Sequence, residues 1–197
     1  MNLQYIKPIV AFVLLVILGI TYNPIDIFTI EEQPEEKVVA KVVDPKQLAC
    51  MAKNIFYEAG HESIMGQAAV ARVVLNRVNH GFARNPCAVV YQAHTVDKTI
   101  DDEIVKVKLC QFSWVCENKG EPNVNSQRYK QAYQVAYDVM AKDAYSDVVP
   151  KSALFFHNLN VDPLWPYKQV AKIGNHIFYS KQKKSTQKTI AKNENNI

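Results

Sequence analysis

Two carboxylates four residues apart, Glu58 and Glu62 in the string FYEAGHES, are the residues best placed to do chemistry. Glu58 falls on the last turn of a helical segment, between Tyr57 and Ala59. The helix dipole favours cations at that end, so a carboxylate gains nothing from it. Apolar neighbours raise a carboxyl's pKa by desolvation, as a general acid working near neutral pH requires. Most glutamates at helix ends are solvated, so this context alone is a weak signal. Aromatic and amide side chains gather elsewhere: Tyr91-Gln92, Gln111-Phe112-Ser113-Trp114, His157-Asn158 and Trp165. Flat aromatic faces with amide and hydroxyl partners suit a sugar groove. Taken singly, each aromatic, Phe112 and Trp165 included, fits a core position better.

Other chemistries find less support. The string HES at 61–63 is not HExxH, because Met65 stands where the second His belongs. His80, His94, His157 and His176 are scattered, so neither a metal site nor a cofactor is expected. No serine sits in GxSxG. Cys50, Cys87, Cys110 and Cys116 contain no CxxC pair. An even cysteine count behind an export signal points to two disulfides in an oxidising compartment. The net charge of +4, from 23 basic and 19 acidic residues, is too small to argue for nucleic acid, and no basic stripe with interleaved aromatics is present. A mild positive balance suits an anionic polymer such as a bacterial wall.

The elements that must position these residues can be read along the 197-residue chain. Ile9–Ile20 is an unbroken apolar run after Lys7, followed by Glu31, Glu32, Glu35 and Glu36. Its flanks place the bulk of the chain outside the cytoplasm. The poor cleavage region at Gly19-Ile20-Thr21 favours an uncleaved signal anchor over residues 1–22, in the inner membrane with the rest in the periplasm. A cleaved signal and a secreted product is the rival. Residues 23–44 read as a linker, and 181–197 as a disordered basic tail. The folded domain is then 45–180. A first helix runs from Pro45 to Ala59 and stops at Gly60; a second, capped by Ser63, spans about 64–79 and is apolar on most faces. Ala88–Tyr91 and Gln111–Val115 read as short strands, with a charged surface helix over 96–109 between them. A further helix covers about 126–142, and Ala153–His157 and His176–Tyr179 read as extended. The class is α+β, mostly helical with a small antiparallel sheet. Antiparallel pairing of the first two strand blocks would join Cys87 to Cys116, leaving Cys50 for Cys110.

The stretch LACMAKNIFYEAGHESIMGQAAVARVVLNRV resembles the opening of the SleB/CwlJ-type cell wall hydrolase family. That family pairs an EARGE-like element with GQ-x-AVA-x-VVLNRV. CAVVYQ, CQFSWVC, ALFFHNLNVDPLW and VAKIGNHIFY follow in the same order, so the resemblance covers about 47–180. It implies a lysozyme-like domain that cuts the bond between N-acetylmuramic acid and N-acetylglucosamine, often as a lytic transglycosylase. It makes Glu58, the first acid of that element, the catalytic residue. Here the element reads EAGHE, so Gly60 replaces the arginine and His61 the glycine. That removes a possible ion-pair partner near the site and leaves the role of Glu62 as second carboxylate open. A monomer acting on peptidoglycan without a cofactor is the expectation. An amidase cutting the lactoyl–peptide bond, and a non-catalytic wall-binding module, are the rivals.

Overall fold

The computed structural model describes residues 40–183. The Ile9–Ile20 run, the linker up to residue 39 and the tail beyond 183 lie outside the described residues. Among those described, no helix is long and apolar enough to cross a membrane.

Helix α1 (Pro45–Ala59) begins where the sequence places it. The Asp44 carboxylate accepts the Lys46 N–H at 2.7 Å, and Pro45 occupies the first turn. Leu48, Met51, Ala52, Ile55, Phe56 and Ala59 form its buried face. Gly60 follows in a right-handed conformation, φ −63°. Its value is close approach: a Cβ there would collide with the Phe56 carbonyl oxygen and lie 3.1 Å from Arg128 Cδ. Arg128 lies 4.0 Å above the Phe56 ring and contacts His61 Nε2, so a guanidinium from another helix fills the space beside this glycine.

Helix α2 (Ile64–Asn79) is the central rod, capped by the Ser63 hydroxyl, which accepts the Gly66 N–H. Its buried polar residues tie it to later chain. Arg72 pairs with Asp143 at 2.6 Å, Asn76 Nδ2 donates to the carbonyls of Pro150 and Ala153, and Arg77 Nε donates to that of Leu154. Most buried polar groups are bonded in this way.

The chain from 86 to 116 differs from expectation. Pro86–Val90 is a short helix, α3, capped by Asn85, and Ser113–Cys116 is a one-turn helix, α4. The expected surface helix is a hairpin, β1 (Ala93–Ile100) and β2 (Glu103–Cys110), paired antiparallel from Ala93↔Cys110 to Ile100↔Glu103. Asp101 and Asp102 both have positive φ, 50° and 64°, the turn that matches strand twist. Because α3 lies against α1, the disulfides are Cys50–Cys87 and Cys110–Cys116. The expected Cys87–Cys116 and Cys50–Cys110 pairing is therefore incorrect. It rested on two strands that are helices, and α4 turns Cys116 back onto the end of β2.

Helix α5 (Gln127–Ala141) packs on α1. A three-stranded antiparallel sheet closes the domain, with β3 (Ala153–Asn158), β4 (Tyr167–Ile173) and β5 (His176–Lys183) in the order β3-β5-β4. Strand β4 was not expected, and β5 runs to Lys183, past the expected start of the tail at 181. Phe178 of β5 is 0% exposed and packs with Ala69 and Val73 of α2, Val149 and Ala153. The class is thus mixed α+β, with two small antiparallel sheets rather than one.

Candidate active site

Glu58 ends α1 at one side of a cleft of about 350 Å³. Gln111, Phe112 and Ser113, between β2 and α4, form one wall; Phe155, Phe156 and His157 of β3 form another. Val161, Pro163 and Trp165, from the loop before β4, complete it. Glu58 is half-buried. Burial raises its pKa from 4.5 to about 7; the charge of Arg77 pulls it down, Glu117 pushes it up and Lys119 pulls it down. The burial effect wins, so near neutral pH the carboxyl can hold or release its proton.

Arg77 lies beneath the cleft and is 3% exposed. Burial lowers its pKa to about 10, with Glu58 acting in the opposite direction, so it stays a cation at neutral pH. Its Nε donates to the Leu154 carbonyl at 2.7 Å, and its guanidinium lies 5.1 Å from the Phe112 ring centre. With the Gln111 amide oxygen turned inward, that oxygen accepts from both Arg77 terminal nitrogens, at 3.2 and 3.3 Å. A buried cation held by a carbonyl, an amide and aromatic rings places a fixed positive field beneath Glu58.

The outer wall is aromatic. Phe155 stacks on Tyr167 at 4.5 Å, and Trp165 sits edge-on to Phe155, His157 and Tyr179. His157 Nδ1 lies 2.8 Å from the Asn158 carbonyl oxygen, which can only accept, so Nδ1 carries the proton. In the neutral ring Nε2 then accepts from the Tyr179 hydroxyl at 2.8 Å. Both ring nitrogens are engaged, and the ring supports Trp165.

The structure brings Glu58, Gln111, Phe112, Ser113, His157 and Trp165 together and leaves the other expected residues outside the cleft. Trp114 is 3% exposed, donates to Asn54 Oδ1 and stacks on Tyr57. Tyr91 lines a different cavity with it. Gln92 donates to the Phe82 carbonyl, and the Asn158 carboxamide oxygen accepts the Asn160 N–H within a turn. Glu62 accepts both the backbone and side-chain N–H of Asn175, at 3.3 and 3.0 Å. It also packs so closely on Gly174 that a Cβ there would clash. It clamps the β4–β5 turn.

Sequence reasoning missed Arg77, Phe155 and Phe156. A second arginine in a helix otherwise buried on most faces was the available signal for Arg77, and the paired aromatics of LFFHN were the signal for the wall.

A family model described as cell wall hydrolase matches residues 61–179. The match begins just past Glu58 and takes in the cleft walls, Arg77 and the Glu62 clamp. The catalytic domain of the germination-specific lytic transglycosylase SleB of Bacillus anthracis is 23% identical, with a TM-score of 0.52 over 72% of this chain and 100% of that one. The Bacillus cereus SleB catalytic domain is 20% identical, with a TM-score of 0.48 over 75% of this chain and 100% of that one. No curated protein matches. The family match spans more than half of the chain, and the first of these likenesses shows a similar fold: the chain belongs to the cell wall hydrolase family and is an enzyme of that type.

Proposed function

We propose that the enzyme cleaves the peptidoglycan glycan strand between N-acetylmuramic acid and N-acetylglucosamine as a lytic transglycosylase. The observation that carries this reading is the Glu58 carboxyl, with its pKa near 7, as the one carboxylate lining the cleft among the described residues. Protonated Glu58 donates to the glycosidic oxygen as the bond from C1 breaks. The oxygen of the muramic acid C6 hydroxyl closes on C1, and its proton passes to the Glu58 carboxylate. One residue thus serves as acid and then base, and no water is consumed. The intramolecular nucleophile needs orientation rather than activation by a second group. A hydrolytic route calls for a second carboxylate, and Glu62 is engaged by Asn175. The solved relative described as a lytic transglycosylase supports the same outcome.

Mass spectrometry of digested peptidoglycan tests this, with Glu58→Gln as control. Muropeptides ending in 1,6-anhydro-N-acetylmuramic acid, absent from the control, are expected. Reducing-end sugars would instead make the enzyme a muramidase, and free peptides with intact strands would make it an amidase and remove Glu58 from its assigned role.

We also place the enzyme in the periplasm on an N-terminal anchor, on the strength of the Ile9–Ile20 run and its basic flank. Fractionation should recover the full-length chain with the inner membrane. A soluble form starting near residue 22 would identify a cleaved signal.

A further inference from the structure

A second cavity, of about 360 Å³, lies across α4 from the catalytic cleft. Ser113 lines the cleft, and the next residue, Trp114, lines this cavity. The charges of Glu117 and Lys119 act on Glu58, so the segment that follows α4 lies within electrostatic reach of the cleft. Tyr57, next to Glu58 on α1, ties the second cavity's lining to that helix by stacking on Trp114 at 4.8 Å and donating its hydroxyl to the Gly120 carbonyl.

The lining is unlike that of a sugar groove. Lys53, with its side chain 13% exposed, places its ammonium 5.5 Å from the Trp114 ring centre. Its partner at 2.5 Å is Glu121, whose own side chain is 84% exposed. Lys119, paired with the exposed Glu117 at 2.8 Å, stands nearby, and Tyr91 and Val115 add apolar surface. Two cations beside an aromatic wall, each held only by an exposed carboxylate, suit a ligand that is anionic and partly apolar. An uncharged amino-sugar strand makes no use of them. The peptide stem of muramic acid does, because it combines small aliphatic side chains with free carboxylates and leaves the ring on the lactyl group at C3.

We propose that this cavity binds the acidic peptide stem of the muramic acid held in the catalytic cleft, with Lys53 and Lys119 taking its carboxylates. The proposal rests on the glycan-cleavage reading above. In the free protein Glu121 occupies Lys53 and Glu117 occupies Lys119. A carboxylate so exposed to water holds its partner weakly, and a stem carboxylate exchanges with it. Binding in the cavity orients the muramic acid ring over Glu58, so the enzyme prefers strands that carry stems.

Two variants distinguish ligand binding from a merely structural ion pair. Lys53→Met removes the cation, and Glu121→Gln removes its competitor. If the pair only supports the fold, both act in the same direction. If Lys53 binds the stem, they act in opposite directions. Calorimetry with the soluble tripeptide L-Ala–γ-D-Glu–diaminopimelate should show binding weakened about tenfold by Lys53→Met, the loss of one charge-assisted contact, and tightened by Glu121→Gln. In parallel, kcat/KM is compared on stem-bearing strands and on the same strands stripped of stems by an amidase. The wild-type ratio should exceed one through a lower KM on stem-bearing strands, and should fall towards one in Lys53→Met. Absence of tripeptide binding, a common direction of effect, or equal use of both strands would overturn the proposal. Tripeptide binding with opposite responses, but no cleavage of either strand, would keep the cavity's ligand and sink the glycan-cleavage reading instead.

Discussion

The surroundings of Glu58 resist its ionisation, and the same resistance affects stability. Its carboxyl titrates near 4.5 when solvated and near 7 in the fold. Below pH 4.5 both states hold the proton and nothing is lost. Between those values the unfolded chain releases its proton first, so stability falls as pH rises. Above about pH 7 the loss is constant, at most about 3 kcal/mol. Glutamine keeps the shape of the protonated acid. Glu58→Gln should therefore match the wild type near pH 4.5, exceed it by up to about 3 kcal/mol at pH 8, and lose wall-clearing activity by roughly 10²–10⁴. Denaturant titrations at the two pH values check the first part and turbidity of purified walls the second; a stability difference independent of pH would mean a solvated carboxyl. In the sequence Glu58 stands out through the family resemblance of its EAGHE element, since its apolar neighbours alone are a weak signal. Arg77 does not, because its partners Leu154 and Gln111 are distant in sequence and nothing local announces them.

Among elements, α1, α2 and α5 were legible because each joins a side-chain cap to several turns of apolar periodicity. The shorter pieces were not. A run of four or five apolar residues suits a buried strand and a single helical turn equally, and α3 and α4 are turns. The β1–β2 hairpin was hidden by its charges, although the alternation VKVK in β2 is a strand signature and Asp-Asp serves where Asn-Gly is commoner. This hairpin leaves and rejoins the domain at adjacent points, since the Gln111 N–H donates to the Gln92 carbonyl. It touches the rest of the domain chiefly at α4. Isolated two-stranded hairpins are marginal, so its packing contributes little to the domain. Replacing His94–Leu109 with a tight Gly-Asn turn should change unfolding free energy by less than about 1 kcal/mol and leave both disulfides intact. Non-reducing peptide mapping and a melting curve report this. Loss of Cys110–Cys116 in the shortened chain would show that the hairpin directs that bond.

At the scale of the molecule, the ordered motif blocks over 47–180 point to a wall enzyme, and the family match establishes that part. What no composition reveals is the order in which the parts meet. The last strand, β5, is the middle of its sheet, and neither β3 nor β4 has a partner until it arrives. It carries Phe178 into the core beneath α2, while the turn just before it receives the clamp from Glu62, 113 residues earlier.

The domain is therefore a keystone arch in time: the piece that locks it is the last of the described elements to be synthesised. A growing chain cannot close from its beginning and must wait, open, for its end. A chain cut after Ile173 should be digested rapidly by a protease that leaves a chain cut after Lys183 intact, and equal resistance of the two would mean that the helices hold without their sheet.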